Sequence, residues 1–426
     1  MRGFGACEDP DTDGNGKMKE NVIELSIEAM AHGGRALGRH HGKVVFVSSA
    51  IPGEVVRVRV VEERKRWMRA EIISVVEASP HRVEPPCPYF GVCGGCHFQH
   101  IRYPAQLDYK RQVVIEQLRR IGHLQTPPVL PVLGMDEPWL YRNHVQFSVD
   151  EAGRLGFMAA NSHDVIPIDR CLLLHPLLDE LYTALDLDWP ELTELSLRAG
   201  IHSGERMCIL ETADGLAPDL EIDFPLSCVL RLDDGTDVVL IGQSAYHEVL
   251  KGRRFRISAG SFFQVNTAQT EVMLDVVERY LEPGTDDVLL DVYCGVGTLG
   301  LSVQDRVGRL IGVEEHPAAI ADARANAGQA TRATFVQGKA EAVLPGLGEH
   351  VSRAIVDPPR QGCKPAVLAE ITHFNPWRIV YVSCDPATLA RDALQLMADG
   401  YELIQVQPVD MFPQTYHVET ISLWQR

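Results

Sequence analysis

Two segments near the end of the chain carry side chains able to do covalent and proton-transfer chemistry. VSCDPATLARD places Cys384 directly after an apolar run, and VDMFPQTYHVETISL carries Glu419 with His417 two residues earlier. A thiol at a strand end that opens on a ligand crevice is accessible, and polar neighbours there can lower its pKa, as a nucleophilic cysteine requires. A third segment, VDPPR, ends another apolar run at Asp357 to Arg360 and is expected to face the same pocket. Side chains two apart on a strand share a face, so His417 and Glu419 are both expected to look into it.

A glycine-rich turn adds a ligand to this picture. DDVLLDVYCG runs into GVGTLG, so an acidic residue and the glycines Gly295 and Gly297 fall at the carboxyl end of a strand, where open α/β sheets bind their ligands. The next strand ends GVEE, and Glu314 is placed to accept hydrogen bonds from ribose hydroxyls. The turn lacks the full spacing of a dinucleotide fingerprint. That favours a nucleoside cofactor without a pyrophosphate, and S-adenosylmethionine fits the description.

A separate constellation lies upstream. Cys87, Cys93 and Cys96 have the spacing C-x5-C-x2-C in a Pro- and Gly-rich loop, which lets three thiolates converge. Cys171, in IPIDRCLLLHP, is the available fourth ligand. Four thiolates suit zinc or a [4Fe-4S] cluster equally, and the C-x3-C-x2-C spacing of radical enzymes is absent. Cys7, Cys208, Cys228 and Cys363 have no partner at useful spacing, and Cys294 is explained by packing.

The elements that must position these groups fall into four stretches. Residues 1–20 lack apolar periodicity and read as a flexible leader. Over 21–80, the runs VIELSIEAM, KVVFVSSA, EVVRVRVVEE and MRAEIISVVEAS alternate with turn sequences, which predicts a small all-β barrel. Residues 81–260 follow as a mixed domain with a helix over 105–122, a hairpin turning at Gly153, then short strands and one helix. From 261 to 426 strands and helical stretches alternate, which implies a mostly parallel sheet covered on both faces.

Composition sets the outer bounds. The chain has 426 residues, 45% of them apolar and 23% charged, as in ordinary globular proteins and unlike disordered or collagen-like chains. No apolar run is long enough for a membrane span and no signal peptide is recognisable, so a cytoplasmic location is expected. Ten cysteines in such a setting argue for metal binding, catalysis or packing over disulfides. The formal net charge of −18 repels nucleic acid on average, but residues 53–70 gather Arg57, Arg59, Arg64, Lys65, Arg66 and Arg69 around Trp67. Nothing in the sequence calls for an obligate protein partner.

Taken together, SFFQVN, DVYCGVGTLG, GVEE, DPPR, VSCDPATLARD and FPQTYHVET resemble the S-adenosylmethionine-dependent RNA uracil-5-methyltransferase family. The resemblance covers almost the whole chain: a TRAM (OB-like) barrel over 21–80, a central α+β domain over 81–260, and a Rossmann-like class I methyltransferase domain with a seven-stranded sheet over 261–426. It implies that the Cys384 thiolate adds to carbon 6 of uracil, making carbon 5 nucleophilic, and that Glu419 is the base that removes the carbon 5 proton. It assigns cofactor contacts to Gln264, Tyr293, Glu314 and Asp357, with the backbone of the Gly295–Gly297 turn beside them; Tyr293 stands where relatives often carry Phe. His417 is structural or polarises the substrate. Relatives that bear a cluster also imply [4Fe-4S] over zinc at Cys87, Cys93, Cys96 and Cys171. Barrel and cluster together favour 23S ribosomal RNA over uridine 54 of tRNA, with Arg35, Arg39, Lys43 and Arg102 adding phosphate contacts. The competing expectations are methylation of a base nitrogen and a noncatalytic iron-sulfur RNA-binding protein.

Overall fold

The computed structural model describes residues 22–426 except 161, 186–188, 214, 330 and 331; the leader and Cys7 lie outside the described residues. The chain forms two compact units, one ending at Glu84 and including His100–Arg102, the other comprising Pro85–Gln99 and Tyr103–Arg426.

In the first unit β1 (Val22–Met30), β2 (Ala36–His40), β3 (Lys43–Val47), β4 (Val55–Glu63) and β5 (Trp67–Glu77) close into a barrel in the order 1-2-3-5-4. Leu25, Ile27, Val45, Val47, Val56, Val58, Met68 and Ala70 fill it, alternating with less buried outward residues as a two-residue period requires. The run HGGRALGRHHG, which reads as a turn in the sequence, contains the whole of β2. Its alternation is hidden because position 38 must be glycine: a Cβ there would lie 2.3 Å from Ser26 O on the paired strand.

The second unit holds a helix at Tyr103–Arg120 and two large sheets. The first sheet contains β6 (His144–Val149), β7 (Leu155–Met158), β8 (Val165–Pro167), β9 (Leu192–Ala199), β10 (Arg206–Thr212), β11 (Ser227–Arg231) and β12 (Asp237–Ile241), in the order 12-11-10-9-6-7-8. A hairpin of β13 (Ala245–Leu250) and β14 (Arg253–Ser258) follows. The second sheet contains β15 (Val288–Val292), β16 (Arg309–Glu314), β17 (Ala333–Gln337), β18 (Arg353–Val356), β19 (Arg378–Ser383), β20 (Glu402–Val409) and β21 (Glu419–Gln425), in the order 17-16-15-18-19-21-20.

Strands β15 to β19 run parallel, and the apolar sequences of β15, β16, β18 and β19 are buried on both faces, as a sheet covered by helices on each side demands; β17, at the margin, is only partly buried. The strand order reverses between β15 and β18, which opens a crevice at their carboxyl ends. Strand β21 enters antiparallel between β19 and β20. An antiparallel strand begins where its parallel neighbour ends, so the start of β21 arrives at the same edge as the crevice.

Candidate active site

Cys384 is the first residue past β19, and the pairing of β21 decides what stands beside it. Ser383 lies opposite Thr420. The Thr420 hydroxyl donates to the Ser383 carbonyl at 2.9 Å, so the next step along each strand sets Cys384 against Glu419. Asp385 and Pro386 have a local explanation: the Asp385 carboxylate accepts the Ala387 and Thr388 N–H groups at 2.8 and 3.0 Å, capping the helix Pro386–Ala398, and proline fits its first turn. The sequence CDP thus ends a strand, leaves the thiol half-buried at the turn, and starts a helix.

Polar surroundings were expected to depress this thiol, but the opposite holds. Burial, then the Glu419 and Asp357 carboxylates, push Cys384 up to about 12, with Arg360 opposing. Glu419 is 3% exposed, and burial followed by Asp357 raises its carboxyl well above the ordinary range. Burial also raises Asp357, just past β18, to about 7. Arg360 therefore opposes the rise of the Cys384 thiol and the Glu419 carboxyl, while burial holds Cys384, Glu419 and Asp357 towards their protonated forms.

The glycine-rich turn lies along the same edge. Gly295 and Gly297 adopt φ of +55° and +86°, conformations that glycine reaches without strain. One Glu314 carboxylate oxygen accepts the Gly295 N–H at 3.1 Å and the other the His316 N–H at 2.7 Å, so this strand-end carboxylate latches the turn. Tyr293 has a left-handed φ of +66°, and burial, then Cys363, raises its hydroxyl. Gln264 sits in an irregular segment pinned through its own carbonyl, which accepts Asn143 Nδ2 at 3.0 Å.

Two neighbours were not singled out from sequence. Asp291, inside β15, accepts the Gly300 N–H at 2.9 Å through one oxygen, and its other oxygen is buried without a hydrogen-bond partner. Burial, then Asp357 and Glu314, raise it to about 8. The available signal was a lone carboxylate within the apolar run VLLDV. Arg360 was visible only as the end of DPPR. His417 departs from expectation: β21 starts at Glu419, so the histidine lies in the preceding loop, its ring 4.1 Å from Tyr416 and 5.7 Å from Phe412. Burial and then Arg360 lower it to about 3, so it is neutral.

The four cysteines gather elsewhere in this unit. Cys87, Cys93, Cys96 and Cys171 line one cavity of about 80 Å³ together with Arg142 and Phe157. Burial raises the thiols of Cys93, Cys96 (to about 12) and Cys171; neighbouring thiols add to the rise, and Arg142 opposes it in all three. Among the described residues no three His, Cys, Asp or Glu side chains stand in a metal-coordinating arrangement. Cys208 and Cys228 face each other across β10 and β11, a pairing their sequence spacing did not suggest.

A family profile described as tRNA (uracil-5-)-methyltransferase matches residues 348–426, and a TRAM domain profile matches 16–73. An uncharacterized RNA methyltransferase of Thermosynechococcus vestitus is 38% identical, covering 94% of this chain and 97% of its own. Another, from Caldanaerobacter subterraneus, is 37% identical over 95% and 98% of the two chains. The crystal structure of the Pyrococcus abyssi tRNA (uracil-54, C5)-methyltransferase with S-adenosyl-L-homocysteine matches with a TM-score of 0.75 at 26% identity, covering 94% of this chain and all of that one. Fold and site define a class I methyltransferase with an N-terminal TRAM barrel. The chain belongs to the S-adenosylmethionine-dependent RNA uracil-5-methyltransferase family, and it is an RNA methyltransferase. None of its described helices is long and apolar enough to cross a membrane.

Proposed function

We propose that the protein methylates carbon 5 of a uridine in 23S ribosomal RNA, with Cys384 as nucleophile and Glu419 as base. The observation that carries this reading is the β19–β21 register, which sets a thiol against a buried carboxyl at the edge that holds the glycine-rich turn. Uracil carbon 5 is too weak a nucleophile to attack a sulfonium unaided. The Cys384 thiol gives up its proton to solvent, its thiolate sulfur forms a bond to carbon 6, and the electron pair displaced from the ring double bond makes carbon 5 electron-rich. When bound, S-adenosylmethionine supplies the methyl group as an electrophile. Glu419 then takes the carbon 5 proton; the C–H electron pair restores the ring double bond, and the carbon 6–sulfur bond breaks to return the thiolate. Burial that raises a carboxyl makes its ionised form a stronger base, which suits Glu419 to this step.

Gln264, Tyr293, Glu314 and Asp357, with the backbone at Gly295 and Gly297, hold the cofactor in this reading. An edge bearing Asp291, Glu314, Asp357 and Glu419 suits a ligand with a sulfonium and an ammonium, because a cation relieves the carboxylate repulsion that adds to burial in raising Asp291 and Glu419. The donor set of Cys87, Cys93, Cys96 and Cys171 suits a [4Fe-4S] cluster, whose net negative charge with four thiolates Arg142 would offset; its role there is structural, since methyl transfer needs no redox step. The target base must leave its stack to reach Cys384, and the barrel cations supply phosphate contacts.

A second substrate reading, uridine 54 of tRNA, is supported by the full-length likeness to the Pyrococcus abyssi enzyme. Mass-spectrometric mapping of 5-methyluridine in ribosomal and transfer RNA, from cells with and without the gene, decides between them. Loss of the mark from 23S RNA alone is expected; loss from tRNA alone replaces the first reading with the second. Methylation of a base nitrogen, with every 5-methyluridine retained, removes both.

A further inference from the structure

The loop from Asp410 to Val418 delivers Glu419 to the site, and its backbone is held with unusual completeness. Its carbonyls at Met411, Phe412, Pro413 and Gln414 accept hydrogen bonds from Asn266 Nδ2 (3.2 Å), Lys110 Nζ (3.1 Å), the Tyr141 hydroxyl (3.1 Å) and the His97 and Phe98 N–H groups (both 2.9 Å). Gln414 is the hub. It is 2% exposed and has a φ of +67°, a conformation that non-glycine residues rarely hold unless their surroundings enforce it.

Gln106, 1% exposed on the helix Tyr103–Arg120, supplies that enforcement. Its Nε2 donates to Gln414 Oε1 at 3.0 Å and to the Phe98 carbonyl at 3.1 Å, and its Oε1 accepts the Gln414 N–H at 3.2 Å. A single buried amide thus fastens the base-bearing loop at two points, and ties it to the loop that carries Cys96.

Resting on the assignment of Cys384 and Glu419 above, we infer that Gln106 and Gln414 are positioning residues for the elimination step: their paired amides fix where Glu419 meets the carbon 5 proton. Thiol addition depends on β19 and the helix cap at Asp385, which the amide pair does not touch. Loosening the pair therefore slows proton removal and leaves addition and methyl transfer in place. The methylated RNA then stays joined to Cys384 through carbon 6.

The test uses the full-length holoprotein with substrate RNA, methyl-labelled S-adenosylmethionine and denaturing gels. Gln106→Met keeps the side-chain volume and removes the hydrogen bonds to Gln414 and Phe98; Gln414→Gly removes the side chain and accepts the backbone angle. With uridine RNA both variants should accumulate at least tenfold more labelled covalent adduct than wild type, while turnover falls by a similar factor. With 5-fluorouridine RNA, in which carbon 5 has no proton to lose, wild type and variants should form adduct at rates within threefold. Adding Glu419→Gln to Gln106→Met should produce no more adduct than Glu419→Gln alone. Reduced turnover without adduct, or slowed trapping of the fluorinated RNA, overturns the positioning role. Absence of any wild-type adduct with fluorinated RNA overturns the nucleophile assignment beneath it, so the two failures are distinct. If Gln106→Met does not fold, as judged by its melting curve, Gln414→Gly carries the same comparison.

Discussion

The carboxyl edge and the four-cysteine cavity are both clusters of buried or half-buried ionisable groups near arginine side chains, yet they are built by opposite means. At the edge, Asp291, Glu314, Asp357, Cys384 and Glu419 come from five different strands or strand ends, and hydrogen-bonded register fixes each of them. In the cavity, three of the four cysteines come from a single irregular loop, and in the proposed reading the cluster between them adds to what holds them together. A site written into sheet register keeps its geometry when one side chain is removed. A site written into a loop leans more on any group its side chains jointly hold. The two should therefore respond differently to loss of one sulfur.

The largest effect is expected at the edge. Cys384→Ala should lower turnover by at least about 10⁴-fold, the scale seen when a covalent nucleophile is lost, and abolish the adduct with 5-fluorouridine RNA. Cofactor affinity, read by calorimetry, should stay within about threefold, because the strands that hold Glu314 and the glycine turn do not depend on the thiol. A large loss of cofactor binding would mean that the edge is less independent of its members than register implies.

At the cavity the order of effects should reverse. With the proposed cluster in the cavity, Cys96→Ser should remove most of the iron and acid-labile sulfide and lower the melting temperature by about 5–10 °C, as loss of a few kcal/mol does in a domain of this size. The 5-fluorouridine adduct should still form. Wild-type protein that carries zinc in place of iron, or none of either metal, would remove the cluster and leave the comparison with the edge intact.

A smaller effect concerns proton uptake at the edge. Asp291 ordinarily titrates near 3.8, and in the folded protein burial, then Asp357 and Glu314, raise it to about 8. Between these values the folded state holds a proton that the unfolded chain has released. This carboxyl therefore favours folding at low pH, and its contribution is lost as pH rises through that window. Asp291→Asn keeps an acceptor for the Gly300 N–H and carries no charge. Its melting temperature relative to wild type should rise between pH 5 and pH 8, by the equivalent of about 2–4 kcal/mol. An unchanged difference across that range would show that the carboxyl is ionised in the folded state.

What could be read from sequence followed the same division. The central strands of the catalytic sheet were legible because strands buried on both faces are continuous apolar runs, and their ends mark one edge. Cys384, Asp357, Glu314 and the glycines were found as strand-end residues. That Glu419 sits beside Cys384 could not be read this way, since it depends on β21 inserting between β19 and β20 instead of at the sheet's margin. His417 was misplaced for a related reason: the alternation of YHVET reads as strand, but the loop held by Gln106 extends to Val418. Buried polar pairs such as Gln106 with Gln414 leave no local signature, because each residue alone looks like an ordinary exposed amide. Strand β2 escaped because its inward position is a glycine.

The smallest expected effect lies in the barrel, where charge is dispersed. Its cations do not act as an unopposed patch: Lys43 pairs with Glu63, Arg64 and Arg69 with Glu62, and Glu24 lies opposite Arg57 in the β1–β4 ladder. These exposed pairs are weak and salt-screened, so RNA phosphates can compete for the same cations. Arg57→Ala with Arg66→Ala should weaken RNA binding by about three- to tenfold near 0.1 M salt, and reduce the slope of log affinity against log salt by about 2, one for each phosphate left unneutralised. Both changes should be uniform across RNA sequences, because phosphate contacts carry no base information. A change confined to one RNA sequence would assign these arginines to base recognition, and an unchanged salt slope would move the phosphate contacts off this face of the barrel.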